Sequence, residues 1–136
     1  MKLDWPMMAM VFWTFIMLVT IFLNRVRSVR TGRVPARYFK TLQGEAPDDI
    51  VKGTRHFANL FEMPVLFYAA CLFSLQMEMH SRLLFGLAWL FVACRIAHSL
   101  IHLGYNKVTH RLAIFFLSNI ALFAIWARIA LFVYRR

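Results

Sequence analysis

The stretch LLFGLAWLFVACRIAHSLIHL, Leu83 to Leu103, decides the fold of this chain. It is long and apolar enough to cross about 30 Å of hydrocarbon as one α-helix, because each residue adds about 1.5 Å. Three comparable apolar runs occupy residues 7–24, 57–76 and 112–134. The hydrophobic fraction of 61% exceeds the roughly 45–50% typical of soluble domains. The sequence therefore predicts a single all-α domain, residues 1–136, built as an integral membrane bundle of four transmembrane helices.

The charged residues are unevenly distributed along the chain. There are 16 Lys and Arg against 6 Asp and Glu, which gives a net charge of +10. Eight of the basic residues lie in residues 25–55, the predicted loop between the first two helices, and Lys107 and Arg111 lie in the third connection. By the positive-inside rule both connections are cytoplasmic. No folded basic face is expected outside the membrane, so we exclude nucleic-acid binding.

Two of the predicted helices carry polar residues that are costly in a bilayer. A charged side chain at mid-membrane costs roughly 2.5–3.5 kcal/mol, so such residues need a partner or a function. Their spacings of three, four and seven residues place them on one face of each helix. They are Arg55, Asn59 and Glu62 on the second helix, and Arg95, His98, Ser99 and His102 on the third. The pattern predicts a polar cleft that opens toward the cytoplasm.

The depth of these residues predicts how the cleft is closed at its base. Glu62 lies about 10 Å below Arg55, and Arg95 about 13 Å below Gly104, at about 1.5 Å per residue. The two opposite charges are then level, so we predict an ion pair between Glu62 and Arg95 as the floor of the cleft. Pro64 lacks a backbone donor and is predicted to kink the helix beside Glu62.

The segments RHFANLFEMP, residues 55–64, and RIAHSLIHLG, residues 95–104, followed by Arg111, resemble the MAPEG family. These are membrane-associated proteins in eicosanoid and glutathione metabolism. The resemblance covers nearly the whole chain, and its specific part is the Asn-x-x-Glu motif followed by Arg-x-x-His. It implies a homotrimer of four-helix subunits that binds glutathione as co-substrate between neighbouring subunits, near the cytoplasmic side. A lipophilic substrate would then enter from the bilayer, among the membrane lipids.

The resemblance also implies roles for individual residues. Glu62 is expected to meet the free amino group of glutathione, and Arg27 to approach the peptide from the adjacent subunit. Arg111 matches the arginine that stabilises the glutathione thiolate, and is the expected catalytic residue. The expected glutathione-binding residues are Arg27, Arg55, Asn59, Glu62, Arg95, His98 and His102.

The sequence departs from the family pattern at three positions. His102 stands where active eicosanoid enzymes have a tyrosine, Ala58 replaces an arginine, and Leu112 follows Arg111 where some members have serine. We therefore expect a broad glutathione transferase or peroxidase of lipophilic electrophiles. A location in the inner (plasma) membrane of a bacterium is expected, with the cleft facing the cytoplasm.

The polar cleft is also consistent with two other functions. One is a non-catalytic protein that binds an anionic lipid or small molecule among the basic residues. The other is a metal site, because His98 and His102 are spaced so that both can ligate one ion, with His56 or Glu62 completing the set. Arg55 and Arg95 would repel a divalent ion, so no metal ligand is assigned.

Overall fold

The computed structural model describes residues 2–135, which form helices and contain no strand. The helices are α1 (Asp4–Arg30), α2 (Tyr38–Thr41), α3 (Asp48–Leu60), α4 (Met63–Gln76), α5 (Arg82–Leu103) and α6 (Val108–Tyr134). Four spans are long and apolar enough to cross a membrane: α1, α3 together with α4, α5 and α6. The predicted all-α bundle of four membrane spans is confirmed.

The helices extend beyond the apolar runs, so several predicted helix ends are wrong. α1 continues to Arg30 and the second span begins at Asp48, which shortens the predicted loop 25–55 to residues 31–47. The last turn of α1 contains basic residues, whose positive charge stabilises the C-terminal end of a helix. The first turn of α3 contains Asp48 and Asp49, whose negative charge stabilises the N-terminal end. Hydropathy indicates only the part of a helix that lies in hydrocarbon. The backbone hydrogen bonds of the helix can continue beyond it into polar surroundings, so the helix is longer than its apolar run.

The second span is broken at Phe61 and Glu62. Glu62 has φ −91° and ψ −94°, which is not helical, and Pro64 lies in the first turn of α4. Proline has no N–H to donate to the Leu60 carbonyl, so the helix cannot continue with its normal bonds. The predicted kink beside Glu62 is confirmed, and it takes the form of a complete break between α3 and α4.

The helix α5 is central, because it packs against α1, α3 and α6, while α4 packs against α1 and α6. We call the part of the bundle beside residues 31–47 the loop half, and the part beside the turn at residues 77–81 the turn half. The rings of Phe67 and Phe91 stack in the turn half with centroids 4.4 Å apart. The buried core around them contains Leu3, Met10, Ala70, Cys71, Leu84, Ala88, Val92, Ala121, Leu122, Ile125 and Ile129.

The connection between α1 and α3 is itself folded against the end of the bundle. Val34, Tyr38 and Ile50 form a small buried cluster beneath it. Arg33 Nη2 and Asp49 Oδ1 lie 2.9 Å apart, and both side chains are about half exposed, at 48% and 44%. This is the only ion pair within 4.0 Å among residues 2–135. The basic connection is therefore held to α3 by one small apolar cluster and one exposed ion pair.

Candidate functional site

A polar cleft opens in the loop half, between α3 and α6, with α5 as its floor. Its cavity volume is about 260 Å³, below the roughly 300–1,000 Å³ of most small-molecule pockets. Six of the eight residues proposed from the sequence line it, together with two apolar side chains. The lining residues are Arg55, Asn59, Glu62, His98, His102, Arg111, Leu112 and Phe115.

The cleft exists because α3 and α6 stay apart. No Cα atom of α3 lies within 8 Å of one in α6 over the described residues, whereas α4 packs directly against α6. The second span changes from lying apart from α6 to packing against it at the break between Leu60 and Met63. The bundle is therefore closed in the turn half and open in the loop half. The break beside Pro64 thus positions the site as well as bending the helix.

Arg95 lies beneath the cleft and is only 2% exposed. Its Nη2 donates to the backbone carbonyl of Asn59 at 2.8 Å and to the side-chain Oδ1 of Asn59 at 2.9 Å. Its guanidinium also lies 5.8 Å from the centroid of the Phe115 ring. The carbonyl of Asn59 is close to the end of α3, where helix carbonyls lack partners within the helix. Arg95 therefore caps the broken helix from the neighbouring one.

The predicted ion pair between Glu62 and Arg95 is wrong. No such contact forms within 4.0 Å, although the Glu62 carboxylate attracts the Arg95 guanidinium over a longer distance. The prediction treated the second helix as continuous, whereas the break takes Glu62 out of line with α3 and leaves its side chain exposed at the cleft. Asn59 takes the place expected for Glu62, and the Glu62 carboxylate makes no hydrogen bond within residues 2–135.

His98 joins three helices at the floor of the cleft. Its Nε2 lies 3.2 Å from Nδ2 of Asn59, and its Nδ1 lies 3.3 Å from the backbone oxygen of Arg111. The Asn59 amide nitrogen can only donate and the Arg111 carbonyl can only accept. A neutral His98 protonated on Nδ1 satisfies both bonds. Because Asn59 also accepts from Arg95, its side chain links Arg95 and His98.

A second pair of histidines packs behind His98. The rings of His56 and His102 have centroids 5.3 Å apart, and His56 is only 1% exposed. The structure does not support the alternative metal site, because no group of three His, Cys, Asp or Glu in residues 2–135 has the geometry to hold an ion. Both ring nitrogens of His98 are already engaged in hydrogen bonds, which removes the main proposed ligand.

The side chain of Arg111 reaches the cleft from the first turn of α6. Its Nη1 donates to Oδ1 of Asn106 at 2.8 Å. Asn106 has a positive φ of 50°, a conformation that asparagine adopts more readily than most residues. Neither Asn106 nor Phe115, which is one helical turn after Arg111, was predicted from the sequence. The available signal was an asparagine two residues after Gly104, the C-cap of α5, because Asn adopts a positive φ at turns more readily than most residues.

Arg27 does not reach the cleft within one chain. It lies in the last turn of α1, is exposed to solvent, and is absent from the lining of the cleft. The family resemblance assigns this position to contact with an adjacent subunit, so its place outside the cleft leaves that expectation untested.

Comparison with known proteins gives one match. The sequence profile of the MAPEG family matches residues 5–131, which is nearly the whole chain. Searches of curated proteins and of solved structures found no match. Together with the four apolar spans, the family match identifies a multi-pass integral membrane protein.

Proposed function

Because the chain belongs to the MAPEG family, whose members act in eicosanoid and glutathione metabolism, we propose that the polar cleft binds glutathione as a co-substrate. The observation that carries the proposal is the set of charges on the cleft lining. Arg55 and Arg111 come from two helices, and one carboxylate, Glu62, lies between them in sequence and has no ion-pair partner within residues 2–135. A cleft with two arginines and one carboxylate complements a ligand with two carboxylates and one ammonium.

Glutathione has this distribution of charge, with two carboxylates and one amino group. Arginine binds carboxylates through paired, charge-assisted hydrogen bonds, so Arg55 is suited to one of the two ends. Glu62 is suited to the amino group, because its exposed carboxylate is at the cleft and is not used by Arg95. Asn59 and Arg95 then act from beneath, as residues that hold the floor in shape.

The proposed reaction begins with the glutathione thiolate. A guanidinium near the sulfur lowers the pKa of the thiol from about 8.5 and increases the thiolate fraction at neutral pH. Arg111 is the proposed stabiliser, because it lines the cleft beside the apolar Leu112 and Phe115. A lipophilic substrate that enters from the bilayer would meet the sulfur along this apolar side.

Two reactions fit this arrangement. In a transferase reaction, the thiolate bonds to an electrophilic carbon. Substitution breaks the bond to a leaving group such as chloride and the thiol proton goes to water, whereas addition to a conjugated double bond returns the proton to the product. In a peroxidase reaction, the thiolate attacks a hydroperoxide oxygen and releases the alcohol. The resulting sulfenic acid reacts with a second glutathione to give the disulfide and water.

We also propose that the functional form is a homotrimer. The cleft of a single chain is small and open at the side, and Arg27 is exposed outside it. An adjacent subunit that contributed its own Arg27 would enlarge the site and supply a further cation. The proposed location is the inner membrane of a bacterium, with the basic connections facing the cytoplasm.

Glutathione binding to the detergent-purified protein, measured by calorimetry, tests this function. Wild type should bind saturably, and Glu62→Gln should weaken binding about tenfold or more, because a charged partner is lost. Glu78→Gln is the matched control, since Glu78 is an exposed carboxylate in the turn half. Absence of binding by folded wild-type protein would overturn the proposal.

Measurement of the turnover rate tests the catalytic role of Arg111 separately from glutathione binding. Arg111→Gln should lower the rate with a chloronitrobenzene electrophile or an organic hydroperoxide about tenfold or more. The ultraviolet absorbance of bound thiolate should fall in parallel. Lys107→Gln provides a control, because Lys107 is an exposed cation close to Arg111 that does not line the cleft. Equal losses in the two variants would remove Arg111 from its proposed role.

A non-catalytic function is the second candidate. Leu112 and Phe115 give the cleft an apolar side next to its arginines, which also suits an anionic lipid or small molecule. Retention of an anionic lipid, with neither glutathione binding nor turnover, would favour this candidate.

A further inference from the structure

A second basic site lies at the far end of the bundle, away from the cleft. Arg128 and Arg135 line one pocket on α6 and its C-terminal end, together with Leu131, Phe132 and Met79. The four residues on this stretch are spaced by three, four and seven, so they share one face of the helix. Met79, from the turn between α4 and α5, forms the opposite wall.

The charge of Arg128 has no partner in the part of the chain that the structure describes. It lies six residues before the end of α6, inside an apolar span, and makes no hydrogen bond or ion pair within residues 2–135. A charged residue within a membrane span requires a compensating interaction. The long side chain can extend toward the membrane surface, in the direction of Arg135, about 10 Å further along the helix.

The walls of the pocket indicate what kind of anion occupies it. Leu131 is 48% exposed and Phe132 is 38% exposed, so the pocket is continuous with the lipid-facing surface of α6. Among residues 2–135 its lining contains no carboxylate side chain, and Glu78, the residue before Met79, does not line it. A free anion would gain nothing from these apolar walls, whereas a phospholipid would place its acyl chains against them.

We propose that Arg128 and Arg135 bind the phosphate of an anionic phospholipid in the leaflet opposite the cleft. Two guanidinium groups can hold one phosphate through paired hydrogen bonds, with Arg128 reaching it from below and Arg135 from the surface. The site is independent of the cleft and of glutathione. It anchors the C-terminal end of α6 at a membrane surface where the positive-inside rule predicts few basic residues.

Native mass spectrometry of the full chain with phosphatidylglycerol or phosphatidylcholine tests the site. Wild type should retain phosphatidylglycerol in preference to phosphatidylcholine. Arg128→Gln and Arg135→Gln should each weaken phosphatidylglycerol retention about tenfold, equivalent to about 1.4 kcal/mol. Arg128→Lys should retain part of the affinity, because it keeps the charge but loses the paired geometry.

The matched control is Arg82→Gln, because Arg82 lies in the same turn half but outside the pocket. Arg82→Gln should weaken phosphatidylglycerol retention by less than about twofold, compared with about tenfold for the pocket variants. Equal losses in Arg82→Gln and Arg128→Gln would indicate general charge attraction and overturn the site. Displacement of the lipid by an excess of inorganic phosphate would show a free-anion site, and would also overturn it. Arg135→Gln keeps the test valid if Arg128→Gln does not fold, because Arg135 lies beyond the last residue of α6.

Discussion

The two halves of this bundle use the same helices for different purposes. In the turn half, α4 packs against α6 around a buried cluster that is almost entirely apolar. In the loop half, α3 stays away from α6, and the buried residues include Arg95, His56 and His98. One helix break separates the two arrangements. The difference shows how a small membrane protein can keep a polar site open without loosening its whole core.

The loop half has its own internal order, based on hydrogen bonds. Asn59 accepts from Arg95 and donates to His98, and His98 in turn contacts the backbone of Arg111. Three helices are therefore joined by directional bonds around the cleft. The turn half is joined by close packing, which is less directional but involves more surface. Substitutions in the turn half should consequently change mainly the free energy of unfolding, whereas substitutions around the cleft should change mainly glutathione affinity and turnover.

The largest expected effect on stability is that of Phe91→Ala in the turn half. Phe91 is fully buried and stacks on Phe67, so its removal should lower the free energy of unfolding by about 3–5 kcal/mol. Denaturant titration in detergent would measure the loss. Leu90→Ala is a suitable control, since Leu90 is 40% exposed. A marked loss of glutathione affinity in folded Phe91→Ala protein would contradict the separation of the halves.

The next effect is that of Pro64→Ala at the border between the halves. A continuous helix would draw α3 into line with α4 and let the Met63 N–H bond to the Asn59 carbonyl, which Arg95 now uses. We expect glutathione affinity to fall about tenfold, or about 1.4 kcal/mol, by calorimetry. Pro35→Ala, in the loop, should leave it unchanged. An unaltered affinity would mean that tertiary packing, and not Pro64, maintains the break.

A smaller effect is expected from Asn106→Gly beside the cleft. Glycine accepts the positive φ at this position, so the variant removes the bond to Arg111 while sparing the backbone. Turnover should fall about fivefold, or about 1 kcal/mol, because Arg111 is less well oriented. Glutathione affinity should change by less than about twofold, which is small beside the tenfold change that corresponds to about 1.4 kcal/mol. If Asn106→Ala alone lowers turnover, the backbone conformation matters and the side chain does not.

The smallest effect should come from Arg33→Gln on the outer surface of the loop half. The ion pair with Asp49 is about half exposed, so its loss should cost under about 1 kcal/mol, and less at high salt. Thermal unfolding at two salt concentrations would measure this. Glutathione affinity should not change, since neither residue lines the cleft. A large loss of binding would show that the connection supports the site directly.

The sequence predicted much of the fold and of the candidate site, but not its internal contacts. The four spans were evident from apolar runs, five cleft residues were found from their spacing on two helices, and Arg111 was found from the family resemblance. The partner of Arg95 was predicted wrongly, because depth estimates assumed an unbroken second helix. A comparable depth does not fix a hydrogen bond, which depends on displacements of about 1 Å or less.

The sequence by itself determined the number of spans, the polar faces of two helices and a bend beside Pro64. These features depend on hydropathy, helical periodicity and the missing N–H of proline, which act over a few neighbouring residues. Only the tertiary structure decided that Asn59 takes the place of Glu62 beside Arg95, and that α3 stays apart from α6. Those outcomes depend on how separate helices pack against α5, because side chains far apart in sequence compete for the same partners.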